Sequence, residues 1–237
     1  MYLFRSTKSY ALAARLKGHS DGIYTLAVSP SGNLLASGGK CIVTTALLDL
    51  LNFGIGGDGI KIWDLQTNQQ QTRLPQSQGL RGPISCVQWL VRKDDSLDTL
   101  CYGTGLGYLV IWHRLREVRV TKCITVCKLR DRQGAFQETW AKRLATGQEI
   151  TCLTTDTSHG THTRIAVGTR DKVVQVLKIN AKSELQSVFS IQLEVTVPIA
   201  IGFADNTAKD VYVLGLFNGQ LWVFFHMLPI HIPLTAM

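Results

Sequence analysis

The chain has 237 residues, 45% of them hydrophobic and 18% charged, a balance that supports a packed core and excludes a disordered polymer. There is no basic start followed by an apolar run and a small-residue cleavage site, and neither 41–56 nor 214–234 offers the ~20 uninterrupted apolar residues that span a bilayer; the expectation is a cytoplasmic or nuclear protein, neither secreted nor membrane-spanning. The net charge of +8 raises the question of a nucleic-acid partner.

Taken in chain order, the first clear unit opens at Gly18-His19 and alternates apolar and polar residues over 23–29, with Ile23, Leu26 and Val28 on the apolar side. Pro30-Ser31-Gly32-Asn33 is a turn by composition, 34–37 reads as a second strand, and Asp58-Gly59 introduces a third at 60–63 that ends in Trp63-Asp64. A polar, edge-like segment follows at 69–74. Three weaker copies have strands at 84–89, 99–104 and 108–112; at 150–154, 164–168 and 173–179; and at 198–203, 211–216 and 221–225. Asn218-Gly219 between two alternating apolar runs is a strong hairpin signal on its own.

The first unit resembles a WD repeat, the blade of a β-propeller, in its Gly-His step, its Asp-Gly turn and its Trp-Asp ending. The resemblance implies an all-β, partial WD-repeat-like propeller of about four blades of antiparallel strands. Its repeats fall near 18–74, 80–144, 147–193 and 196–225, with a segment 1–17 that could serve as a ring-closing outer strand and an irregular tail at 226–237. In the second repeat His113 stands where the family has Asp; in the third and fourth, Leu177 and Phe224 stand where it has Trp. The repeat register assigns 136–144 to an outer strand, although its apolar spacing also fits a short helix.

The spacing is regular except at two places. Trp63 to Trp112 is 49 positions, Trp112 to Leu177 is 65 and Leu177 to Phe224 is 47; without the 16 residues 118–133 the outlier also becomes 49. Removing 40–56 similarly brings the Ile23-to-Ile84 distance from 61 to 44. Gly39-Lys40 can be encoded by GGTAAG, which contains a splice-donor-like sequence, and both segments are expected to be retained introns; long blade loops are the alternative.

In the family, a blade is locked by hydrogen bonds among the His, a strand hydroxyl, the turn Asp and the Trp. The resemblance carries these roles onto His19, Ser37, Asp58 and Trp63, with Asp64 completing the Trp-Asp pair, and in weaker repeats onto Thr104, Trp112 and Asp171. A buried indole N–H, an imidazole and a hydroxyl each need partners, which a closed network supplies.

Enzyme-like signals are weak. Gly103, Gly105 and Gly107 suggest a phosphate loop, but the third glycine is one position early for GxGxxG and a hairpin turn explains the run. His159 and His162 lack a third metal ligand, and Cys41, Cys86, Cys101, Cys123, Cys127 and Cys152 form no zinc-like set. No cofactor and no metal are expected. Residues 118–133 hold five basic residues against Asp131, a net of +4 and half of the chain's excess, so nucleic acid is not expected as a partner. The leading reading is a non-catalytic protein–protein interaction scaffold with other proteins as partners. The alternatives are a propeller enzyme with a loop-borne site and a truncated or mis-spliced fragment, whose open end blades would make it prone to aggregate.

Overall fold

A computed structural model describes residues 11–39, 59–71, 75, 81–91, 97–115, 135–144, 147–156, 163–180, 185–194, 196–204 and 211–225. These form four antiparallel sheets arranged as a four-blade β-propeller. Blade 1 contains β1 (Ile23–Val28), β2 (Leu34–Gly39), β3 (Ile60–Asp64) and β4 (Gln69–Gln70), paired in that order. Blade 2 contains β5 (Ile84–Leu90), β6 (Thr99–Thr104), β7 (Tyr108–Arg114) and β8 (Phe136–Arg143). Blade 3 follows with β9 (Ile150–Asp156), β10 (Thr163–Thr169), β11 (Val173–Ile179) and β12 (Leu185–Gln192). Blade 4 has, among the described residues, three strands, β13 (Pro198–Ala204), β14 (Val211–Leu216) and β15 (Leu221–Phe225).

The innermost strands pack in sequence, β1 on β5, β5 on β9 and β9 on β13. Because side chains alternate along a strand, each middle blade buries both faces. The first face of blade 2 joins Leu34, Ala36 and Ile62 of blade 1 in one core, while Cys101, Leu109 and Ile111 join Ile150, Ile165 and Val167 of blade 3 in another. Polar links accompany the apolar ones: Val87 N–H donates to Thr25 Oγ1 at 3.1 Å, and Trp89 Nε1–H donates to the Ala27 carbonyl at 2.9 Å. Thr155 Oγ1 donates to the Trp89 carbonyl at 3.3 Å, and Thr151 Oγ1 to the Pro198 carbonyl at 2.5 Å.

Gly103, Gly105 and Gly107 lie in and beside the β6–β7 hairpin. Gly107 N–H donates to the Thr104 carbonyl at 3.0 Å with φ of 77°, a left-handed conformation suited to glycine. The same turn recurs with Gly219 donating to Leu216, and with Lys172 donating to Thr169 at φ of 68°. The residues 136–144 form the outer strand β8, where alternation rather than a helical stripe is realised.

Both interruptions of the period lie outside the described residues, yet their flanks meet. Gly38 pairs with Ile60 across β2 and β3, and Gly39 N–H donates to the Gly59 carbonyl at 3.4 Å. In blade 2, Arg114 pairs with Phe136, and Leu115 N–H donates to the Ala135 carbonyl at 2.9 Å. Each sheet is continuous across its interruption. Residues 11–17 run as coil, with Leu12 71% exposed, and residues 1–10 and 226–237 lie outside the described part.

Candidate functional site

Blade 1 holds a hydrogen-bonded cluster of His19, Ser37 and Trp63. Trp63 on β3 and Ser37 on β2 lie on neighbouring strands, offset by two residues, since Trp63 pairs with Leu35 and Ser37 with Lys61. Trp63 Nε1–H donates to Ser37 Oγ at 2.9 Å, and His19 Nε2 lies 2.7 Å from the same oxygen. Ser37 Oγ is placed to donate to the Lys61 carbonyl at 3.4 Å. With the His19 Nε2 tautomer protonated, one hydroxyl accepts twice and donates once, which uses its full capacity. Gly18 sits close enough over Trp63 that an added Cβ would lie 2.7 Å from the indole Cη2, so the Gly-His step covers the tryptophan because it carries no side chain there.

Asp64 caps the β3–β4 turn, where its Oδ1 accepts from Gln66 N–H at 2.8 Å and Thr67 N–H at 2.9 Å. Asp58 lies outside the described residues. Asp171 accepts from Thr169 Oγ1 at 2.5 Å in the β10–β11 turn. Thr104 accepts from Tyr108 N–H at 3.1 Å and is likewise a turn residue.

The register shows what replaces the cluster in blade 2. Gly38 pairs with Thr25 and Gly103 with Cys86 at matching bulges, so Tyr102, not Thr104, stands where blade 1 has Ser37. The Tyr102 ring meets Trp112 edge-on, with centroids 5.2 Å apart at 81°. Trp112 Nε1 is buried without a hydrogen-bond partner among the described residues. Burial pushes the Tyr102 phenol above its ordinary pKa, with the nearby Arg81 charge opposing. Arg81 is held by both carboxylate oxygens of Glu138 at 2.6 and 2.7 Å and lies 5.7 Å from the Tyr108 ring centre. Tyr102 thus holds in blade 2 the register position that Ser37 holds in blade 1. Sequence reasoning missed it because Thr104 offered the familiar hydroxyl two positions away.

The remaining chemically active side chains serve the interior. Cys86, Cys101 and Cys152 are free thiols. Burial pushes Cys86 to about 12 and Cys152 to about 11, and raises Cys101 well above the usual thiol range, so all three are protonated and poor nucleophiles at neutral pH. Arg164 pairs with Asp156 at 2.6 Å, bridging β10 and β9, and reaches over Phe203 of blade 4. Among the described residues, no three His, Cys, Asp or Glu side chains are grouped to hold a metal ion, and no helix is long and apolar enough to cross a membrane. His159, His162, Cys41, Cys123 and Cys127 lie outside the described residues.

The surface differs at the two ends of the blade series. On β1, Thr25 and Ala27 face blade 2, while Tyr24, Leu26 and Val28 face away and are 60%, 60% and 56% exposed. On blade 4, Ile199 and Leu221 are 51% and 76% exposed. Comparison with known proteins places this geometry. The family described as WD domain, G-beta repeat, matches residues 11–43. The chain is a β-propeller that carries a WD repeat at residues 11–43. The solved "Structure of U3-55K" is similar in fold, with a TM-score of 0.52 at 16% identity, over 89% of this chain and 54% of that one. The chain thus corresponds to about half the length of that protein. No curated protein matches it.

Proposed function

We propose that this WD-repeat propeller is a non-catalytic scaffold that binds other proteins. The observation that carries the reading is the bare face of β1. Tyr24, Leu26 and Val28 alternate on a strand held rigidly from its other side, and each is more than half exposed. A contiguous apolar strip of this kind is unfavourable in water and marks a surface that another protein covers. WD-repeat propellers in general act as interaction platforms, and the described polar interior of this one supports the same role. His19, Ser37 and Trp63 bond to one another, Arg81 bonds to Glu138, and the buried thiols are protonated. The test is a photo-crosslinking residue placed at Tyr24 in cells, with a second at exposed Leu12 as control. Discrete protein adducts at 24 and not at 12 are the expected result; equal, diffuse labelling at both positions would remove the platform reading.

A further inference from the structure

Three times in the chain, neighbouring blades are joined by the same knob and socket. In blade 1, a Cβ built on Gly38 would lie 2.5 Å from Cγ2 of Ile84, the first residue of β5. In blade 2, a Cβ on Gly103 would lie 2.6 Å from Cγ2 of Ile150, the first residue of β9. In blade 3, a Cβ on Gly168 would lie 2.8 Å from Cγ of Pro198, the first residue of β13. Each glycine leaves a hole that the next blade's leading side chain fills. The floor of the hole is closed from within its own sheet by a small cross-strand neighbour: Thr25, Cys86 and Cys152 respectively.

Blade 4 repeats the socket. Gly215 pairs with Ala200 beside a bulge at the same place, between Pro198 and Ala200. A Cβ built there would meet, among the described residues, only Ala200 Cβ at 3.2 Å, Leu221 Cδ2 at 3.8 Å and the Ala200 carbonyl at 3.9 Å, all of the same blade. Among the described residues the hole is formed, and its nearest neighbours all belong to its own blade. Blade 1 supplies the reverse case. Ile23 is the first residue of β1, the counterpart of Ile84, Ile150 and Pro198, yet it is 50% exposed where Ile84 and Ile150 are 1% and 0% exposed. Among the described residues, blade 1 therefore carries an exposed knob and blade 4 an unfilled socket of the same joint.

We infer that two copies of this chain assemble head to tail, with Ile23 of each seated against Gly215 of the other. The joint continues an interface that the chain already makes three times. It also covers the flanking surfaces, since Tyr24, Leu26 and Val28 of one copy then face Ala200 and Leu221 of its neighbour. Two four-blade chains joined at two such joints give eight blades, the upper end of the roughly four-to-eight range of propellers. The two-fold closure leaves neither flank bare and stops the association at two copies. This inference rests on the reading of the β1 face as a protein-binding surface and names a second copy as what covers it.

The test uses the purified chain. Light scattering after size exclusion is expected to give about 52 kDa, twice the 26.2 kDa of one chain, and Ile23→Asp, at an exposed position, is expected to shift the species to 26.2 kDa with an unchanged β-sheet spectrum. The double variant Ile23→Cys/Gly215→Cys is expected to oxidise to a covalent dimer, while either single variant is not. In the three internal joints the corresponding Cβ positions lie 2.9, 2.8 and 3.2 Å apart, a small displacement from the ~3.5–4.5 Å of a disulfide. A disulfide formed within one chain would overturn the inference by showing that the four blades close on themselves, and a wild-type monomer at micromolar concentration would overturn it as well. Photo-crosslinking from Tyr24 separates the two readings: adducts to a different protein in place of a second copy overturn the dimer and leave the platform standing.

Discussion

Gly103 lies so close beneath Ile150 that a Cβ on it would sit 2.6 Å from the isoleucine Cγ2 and 2.8 Å from its Cβ. The obstructing atoms belong to a β-branched side chain, stiff at χ1 and buried, so it cannot swing aside. Gly103→Ala is expected to lower stability by about 1–3 kcal/mol, the usual cost of overpacking a close-packed core. Gly202, also in a strand, has nothing among the described residues within 4 Å of its Cβ position. Gly202→Ala is expected to be neutral or to stabilise by up to about 1 kcal/mol through reduced chain entropy. Urea denaturation of both variants checks the pair, and equal effects would contradict the knob-and-socket account.

Ser37 is the shared oxygen of the blade 1 cluster, and its removal leaves the buried Trp63 indole N–H without its acceptor. Ser37→Ala is expected to cost about 1–3 kcal/mol, the desolvation penalty of an unpaired buried donor. Ser37→Thr, which keeps the hydroxyl, is expected to recover most of that loss. Thermal unfolding followed by Trp fluorescence measures both, and a neutral Ser37→Ala would show that the cluster is decorative.

These two cases mark what the sequence reveals and what it withholds. Trp63, Trp112, Leu177 and Phe224 are placed by the resemblance to the WD repeat, and the pairing gives all four the same place: each pairs with the residue two positions before the counterpart of Ser37, namely Leu35, Leu100, Ile165 and Tyr212. Local patterns set them, because turns and alternation act within a few residues. His19 and Ser37 are legible because the Gly-His step is a motif. The substitution of Tyr102 for the Ser37 position is not, since it depends on a bulge between Ile84 and Cys86 that composition does not announce. The sockets at Gly38, Gly103 and Gly168 were hidden for a related reason: each glycine's partner lies on another blade, more than 25 positions along the chain.

The buried thiols predict a loss of stability in alkali. Cys86 and Cys152 are raised from 9.0 to about 12 and about 11 by burial, and Cys101 is raised in the same direction. In the unfolded chain these groups lose their protons near pH 9, whereas in the fold they keep them, so the folded state binds more protons above that pH. Stability is therefore level below about pH 8 and falls between pH 9 and 11, because unfolding then releases protons. Denaturant midpoints at pH 8, 9 and 10 test this, with Cys86→Ala/Cys152→Ala expected to flatten the decline. A midpoint that rises over the same range would contradict the burial of these thiols.

The two interruptions yield a sharper prediction, because the sheets meet across both. Deleting 40–56 joins Gly39 to Gly57 and leaves Gly57-Asp58 between the bonded Gly39 and Gly59, a two-residue hairpin connection of favoured composition. Deleting 118–133 leaves Arg116-Glu117-Gly134 between the bonded Leu115 and Ala135, a three-residue loop containing glycine. Neither deletion removes a described strand residue, and a shorter loop costs less closure entropy, by about 0.6 kcal/mol per halving. The doubly deleted chain is expected to fold with a melting temperature equal to or above that of the full chain and to lose half of its +8 charge. Calorimetry decides the physical point, and transcript sequencing decides whether the shortened chain is the natural one. A deletion variant that fails to fold would show that these segments contribute packing to the blades, and the retained-intron reading would fall with it.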